Sequence, residues 1–281
     1  MNNTAIVTGA SAGIGRAIAM QLAGRGFDVV AVARRQEKLA EVAAEARKQD
    51  VSGRIIPLAL DVTTEGAAHK AVALANQNGP LRWLVNNAGM ARFGEFGRTR
   101  ISEQLQTVEL NCKTPLAFTG AALPHLIANA PSNILNIASL AAFQPMPFFG
   151  LTYGASKAFI LSFSEGLSEE LKDKGVTVTA MCPGAVETEF DLLAAPQVRR
   201  ARQWDEITPE QCAAIALRGA ERGRVVVIKG VRHRANQLIV KHAPRWFVRR
   251  EMARRRGGVV GFPKEMLPKA EESNELIKKA V

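Results

Sequence analysis

A short β-branched run, TAIVT at residues 4–8, meets three glycines within seven residues, GASAGIG at 9–15, before a helical pattern with Ile18 and Leu22 begins. Strand, glycine turn and helix in that order bring a backbone close enough to hold a phosphate. Gly9 permits a tight turn, Gly13 lets the backbone approach a pyrophosphate, and Gly15 lets the helix pack against the strand. Ser11, Ala12 and Ile14 complete the turn. The helix start then presents free N–H groups and a positive dipole end to an anion. The spacing Gly9-x3-Gly13-x-Gly15 is not GxGxxG, so a purely structural glycine turn stays open as the alternative.

The pattern then repeats. Further β-branched or apolar runs occur at 27–33 (FDVVAVA), 55–60, 81–86 (LRWLVN), 133–139 (NILNIAS), 176–182 and 224–229 (RVVVIK). Helical periodicity fills the gaps at 36–49, 64–77, 99–126 and from Thr208. Strands alternating with helices predict right-handed crossovers and a parallel sheet covered on both faces. Ligands of such sheets lie beyond the carboxyl ends of the strands. The glycine turn, Arg34, Asp61 and Asn86-Asn87-Ala88-Gly89 all fall at such ends, so one crevice is expected to gather them.

The end of the second run bears on cofactor choice. NAD-selective sites place an acid there for the ribose 2′-hydroxyl, whereas an arginine suits the 2′-phosphate of NADP. Here Ala33 is followed by Arg34 and Arg35, with Lys38 a turn later. No carboxylate repels a phosphate, and two guanidiniums are ready to bind it. The alternative is a pair of solubilising arginines at a helix start.

The chain has one tyrosine, Tyr153, four residues before Lys157 in TYGASKAFILSFSEGLSEEL. Phe159, Ile160, Phe163 and Leu167 mark that stretch as an amphipathic helix, and positions i and i+4 share a face. An ammonium beside a phenol favours the phenolate, and a tyrosine so tuned exchanges a proton near neutral pH. A surface tyrosine and a solvated lysine would read the same in isolation.

Together these pieces resemble the short-chain dehydrogenase/reductase family over roughly residues 4–230: TGASAGIG at 8–15, Asp61-Val62, NNAG at 86–89, Asn111, Ser139, YGASK at 153–157, and Pro183-Gly184 with Thr188. Each is moderate alone; seven in order are specific. The resemblance implies an α/β, doubly wound (Rossmann) parallel sheet of seven strands in one domain, residues 1–230, followed by a basic extension, 231–281. It implies that Tyr153 is the general acid in reduction, that Lys157 tunes it and holds the nicotinamide ribose, that Ser139 binds the substrate oxygen, and that Asn111 anchors a proton-relay water. Asp61 and Val62 would contact adenine. Asn87, Ala88 and Gly89 would line the cofactor crevice, and Pro183, Gly184, Val186 and Thr188 its nicotinamide end. Thr8 and Asn86 would tie turn to sheet. Trp83 departs from the family, which often has Asp there; packing under the sheet edge, or membership of a subgroup, would explain it. Pairing of the helices that carry Asn111 and Tyr153 would give a homodimer or homotetramer.

The implied activity is interconversion of a ketone and a secondary alcohol with NADP(H). Phe143, Met146, Phe148, Phe149, Phe190, Leu192 and Leu193 suggest an apolar cleft and hence a hydrophobic substrate. A cofactor-binding regulator without turnover would be expected to lack part of the set Asn111, Ser139, Tyr153 and Lys157, and none is missing. The four histidines show no metal-ligand spacing, and no metal is expected. Cys112, Cys182 and Cys212 fit neither a disulfide framework nor a metal site, which suits a reducing cytoplasm. The start shows no signal-peptide pattern, and no apolar run spans a membrane.

The net charge of +11 is concentrated. Residues 231–256 carry nine cations against one acid, Glu251, leaving only +3 for the rest. With Trp246, Phe247, Leu238 and Ile239 among them, this basic amphipathic segment fits the surface of an anionic membrane, or a solvated face. Pro244 predicts two short helices rather than one. Nucleic acid is a weaker match, since aromatics for base stacking are few.

Overall fold

Alternate residues of the central strands feed two separate cores, which is why those strands read as unbroken apolar runs. In the computed structural model, which describes residues 2–148, 150–190, 194 and 205–254, Val7, Val29, Ala31, Val85 and Leu135 point to one layer. Their neighbours Ile6, Val30, Val32, Leu84 and Ile134 point to the other. A strand buried on both faces needs no polar alternation.

The elements are β1 (Thr4–Thr8), α1 (Gly13–Gly24), β2 (Asp28–Ala33), α2 (Gln36–Lys48), β3 (Ile55–Ala59), α3 (Ala67–Asn78), β4 (Leu81–Asn86), α4 (Ile101–Val108), α5 (Thr114–Ala128), β5 (Ser132–Ile137), α6 (Leu151–Glu170), β6 (Val176–Met181), α7 (Pro209–Glu221), β7 (Val226–Val227), α8 (Val231–His242) and α9 (Arg245–Arg254). The seven strands pair in parallel in the order β3-β2-β1-β4-β5-β6-β7. Helices α1, α2 and α7 cover one face through Ile18, Leu22, Leu39, Val42 and Leu217. Helices α3, α5 and α6 cover the other through Val72, Phe118, Leu126 and Leu167. The order reverses between β1 and β4, the switch point at which a doubly wound sheet opens a crevice.

Four expectations change in detail. The helix expected over 99–126 is broken: α4 ends at Val108 and a π turn, Glu109–Lys113, intervenes before α5. Pro115 has no N–H to give the carbonyl four residues back, that of Asn111, and the turn widens there. Trp83 is buried in a central strand between β1 and β5, packing with Val85 and Leu135 rather than under an edge. The seventh run pairs over only two residues. Asn86 bonds across to Asn136 at 2.8 Å and Thr119 at 3.2 Å, leaving the stitching of turn to sheet to Thr8 and Asn87. Pro244 does separate α8 from α9, with Ala243 extended before it. No helix among the described residues is long and apolar enough to cross a membrane.

Candidate active site

The turn after β1 and the loop after β4 are fastened to each other by one threonine and one asparagine. Thr8 Oγ1 accepts from the backbone N–H groups of Asn87 and Ala88, both at 3.0 Å, and donates to the Val85 carbonyl. The Asn87 amide donates to the Thr8 carbonyl at 2.9 Å. This closeness explains two glycines. Gly9 has φ +67, and a Cβ there would lie 2.8 Å from the Asn87 amide nitrogen. A Cβ on Gly15 would collide with that same nitrogen and with the Gly9 carbonyl. Ala12, at the start of α1, supplies no side-chain cap, so the first N–H groups of the helix stay available to an anion.

The opposite wall comes from β5 and α6. Ser139 begins a short 3-10 turn, Leu140–Phe143, accepting from Ala141 N at 3.1 Å. Leu140 N donates to the Pro183 carbonyl, which joins the ends of β5 and β6. Tyr153, in the first turn of α6, is flanked by Phe93 at 6.0 Å, edge-on, and Phe190 at 5.6 Å between ring centres. Lys157 is one helical turn on; its Nζ lies 5.8 Å from the Tyr153 ring centre and donates to the Ile137 carbonyl at 2.7 Å. Asn111 stands behind them in the π turn, buried. Its amide donates to Ser156 Oγ and the Met90 carbonyl, and its oxygen accepts from Met90 N, each at 2.9 Å. Ser156 Oγ in turn donates to the Tyr153 carbonyl at 2.8 Å. The π turn thus aims Asn111 at α6 and braces the helix carrying Tyr153 and Lys157.

Burial dominates the titration of this wall. Desolvation lowers Lys157 to about 8, partly offset by the nearby Cys112 and Cys182 thiols. The same burial raises Cys112 and pushes Cys182 up to about 12. The lysine still holds its proton at neutral pH, beside the phenol.

A cavity of about 560 Å³ lies between the two walls. Of the expected residues, Gly9, Ser11, Ala12, Gly13, Ile14, Arg35, Asn87, Ala88, Gly89, Ser139, Tyr153, Lys157, Pro183, Gly184, Val186 and Thr188 line it. Gly15 and Asn111 stand behind that lining. Arg34, Lys38, Asp61 and Val62 lie off it. Arg35 donates to Ser11 Oγ at 3.2 Å and pairs with Glu189 at 3.0 Å. Lys38 pairs with Glu41. Asp61 accepts from the backbone and hydroxyl of Thr63, which, with Arg34 nearby, hold its carboxyl below the usual range. Met146 and Phe190 line the cavity, whereas Phe143 packs against the core and Phe148 lies outside the wall. Phe149, Leu192 and Leu193 fall outside the described residues.

Two contributors to the wall went unread in the sequence. Phe93 sits in an irregular loop with no periodicity to mark it. The C-terminal helices supply His233, Gln237, Val240, Phe247, Val248 and Met252. His233 Nε2 meets Asp205 Oδ2 at 2.6 Å, pinning α8 beside the Pro183-Gly184 turn. Charge dominated the reading of that segment and hid its inward apolar face.

The family model for short chain dehydrogenases matches residues 3–197. The chain belongs to the short-chain dehydrogenase/reductase family. With the family comes the enzyme class: an oxidoreductase acting on alcohol and carbonyl groups. A sulfoacetaldehyde reductase of Chromohalobacter salexigens is 33% identical over 77% of this chain and 86% of its own. A short chain dehydrogenase of Pseudocercospora fijiensis is 37% identical over 66% of this chain, a stretch covering 60% of that protein. Among solved structures, a short-chain dehydrogenase from Sphingobium yanoikuyae in complex with NADPH superimposes with a TM-score of 0.72 at 29% identity, covering 86% of this chain and 96% of that one. A bulky-bulky ketone specific alcohol dehydrogenase from Comamonas testosteroni does so with 0.70 at 26%, covering 96% and 98%. The glycine-walled side of the cavity, with its uncapped helix start and Arg35, has the room and the donors that a dinucleotide needs.

Proposed function

We propose that this protein is an NADP(H)-dependent oxidoreductase that interconverts a ketone and a secondary alcohol on a hydrophobic substrate. The observation that carries the proposal is the facing arrangement of the glycine turn and of Ser139, Tyr153 and Lys157 across one cavity. The bound dinucleotide would supply or take up the hydride. During reduction negative charge develops on the substrate oxygen, and Ser139 and Tyr153 are the donors placed to meet it. Tyr153 gives its proton to that oxygen. Lys157, held by the Ile137 carbonyl, keeps a positive charge beside the phenol and can reach ribose hydroxyls. Asn111 acts through Ser156 and the backbone of α6.

The preference for NADP rests on Arg34 and Arg35 and on the absence of an acid at Ala33. Arg35 stands in the cavity wall, and its pairing with exposed Glu189 is weak enough for a phosphate to replace. The preference for an apolar ketone rests on Phe93, Met146, Phe190, Val240, Phe247 and Met252 in the wall. Two further parts of the reading are a homodimer through the exposed apolar faces of α4 and α6, and residence in a reducing cytoplasm, in keeping with three free cysteines. The test is NADPH oxidation against a panel of ketones graded in size and polarity. Turnover rising with apolar bulk is expected. Turnover confined to small charged aldehydes would overturn the substrate class, and better use of NADH would overturn the cofactor preference.

A further inference from the structure

Helices α8 and α9 have two faces, and only one belongs to the cavity. Stepping 100° per residue along α8 puts His233, Asn236, Gln237 and Val240 on the inner side, all in the cavity wall. Val231 and Leu238 come out opposite, with Arg234 and Lys241 on the flank. On α9, Val248 and Met252 are buried, and Trp246, Arg249 and Arg250 are exposed. Leu238 and Trp246 are 60% and 59% exposed. Water-facing Leu and Trp set among guanidiniums cost free energy unless something apolar and anionic covers them.

Arg234 also belongs to a second hollow, about 290 Å³, whose wall holds four arginines, Arg218, Arg222, Arg224 and Arg234. Among the described residues no carboxylate pairs with any of the four. Four like charges around one hollow repel each other, and an anion entering it relieves that repulsion. The hollow and the outer part of α8 meet at Arg234.

We propose that this surface docks the protein on an anionic phospholipid bilayer. Leu238 and Trp246 enter the interface, Lys241, Arg245, Arg249 and Arg250 lie among the headgroups, and the four-arginine hollow takes a lipid phosphate. A second copy of the chain is the wrong occupant, because it would press one strongly basic surface against another. Nucleic acid would satisfy the charge and leave Leu238 without a partner. Ile239 and Phe247 are both exposed and part of the cavity wall, and so mark the rim between the two faces. The proposal stands on surface composition and does not depend on the catalytic reading.

The experiment is co-sedimentation of the full chain with vesicles of phosphatidylcholine alone and with added phosphatidylglycerol, across a salt series, with NADPH binding measured on the same samples. The expected result is binding to the anionic vesicles only, weakening with salt. Arg249→Gln with Arg250→Gln should lower it about thirty-fold, from roughly 1 kcal/mol per cation at the surface. Leu238→Ser with Trp246→Ser should lower it as clearly at equal charge. None of these four residues lines the cavity, so NADPH binding should persist and report an intact fold. No sedimentation at physiological salt overturns the proposal. So does loss of self-association in the Leu238/Trp246 variant, or duplex DNA binding that matches vesicle binding and ignores that variant. Protection of the hollow by free inorganic phosphate at equal concentration would remove the lipid headgroup from it.

Discussion

At Lys157 two requirements oppose each other. The position must be dry enough to exclude water from a developing charge, and burial lowers the lysine to about 8. Between that value and the unfolded one near 10.5, the unfolded chain binds the proton more tightly than the native one. Stability therefore rises with pH through this window, and the burial cost is present below about 8. In Lys157→Met the contribution vanishes. Denaturant unfolding of the two proteins should show the unmodified one gaining on the variant from about pH 8 to about pH 10.5; parallel curves would mean that the ammonium is not desolvated. Gly15 gives a steric counterpart. In Gly15→Ala the new methyl meets the Asn87 amide and the Gly9 carbonyl, and the loop must shift. A stability loss of about 1–3 kcal/mol and a larger loss of NADPH affinity are expected by calorimetry.

Between elements, the start of β2 is held by Asp28, whose buried carboxylate takes Arg54 at 2.6 Å together with Arg54 N and Asn2. Burial opposes its ionisation, but these bonds prevail and hold the carboxyl below its usual value. The stabilisation is full above the unfolded value of about 3.9 and is lost as pH falls through the lower folded value. Asp28→Asn should cost about 1–3 kcal/mol at neutral pH, with the gap to the unmodified protein closing in acid. Most elements were legible because their signals are local: doubly buried strands as apolar runs, the Thr208–Gln211 capping box as a helix start, Pro244 as a break. The π turn was not, since Pro115 reads equally well as an ordinary early helix position. The site shows the same division. Gly9, Ser139, Tyr153 and Lys157 sit at chain positions that topology alone converges. Phe93 and Gln237 reach the cavity only through loop and helix packing, which no period encodes. Arg34 and Arg35 look interchangeable in sequence, and only backbone direction sends Arg35 into the wall.

For the whole molecule, most exposed apolar residues fall into two sets, one on α4 and α6 and one on the C-terminal helices. Ile101, Leu105 and Val108 on α4, with Leu151 and Phe159 on α6, make up the first; Leu238 and Trp246 belong to the second. The first set suits a second copy of the chain, so Leu105→Glu should shift a dimer toward monomer in sedimentation equilibrium while the C-terminal Leu238 and Trp246 variants leave the dimer whole. A monomeric unmodified protein would end that assignment. Within the cavity, the proton-donating role of Tyr153 is the claim on which the enzymatic account turns. It is tested by Tyr153→Phe, which keeps the ring between Phe93 and Phe190 and removes the hydroxyl alone. NADPH affinity should be retained while ketone reduction under saturating NADPH falls at least about a hundred-fold, the scale of lost general acid catalysis. Reduction at the unmodified rate by the Tyr153→Phe variant would contradict the account.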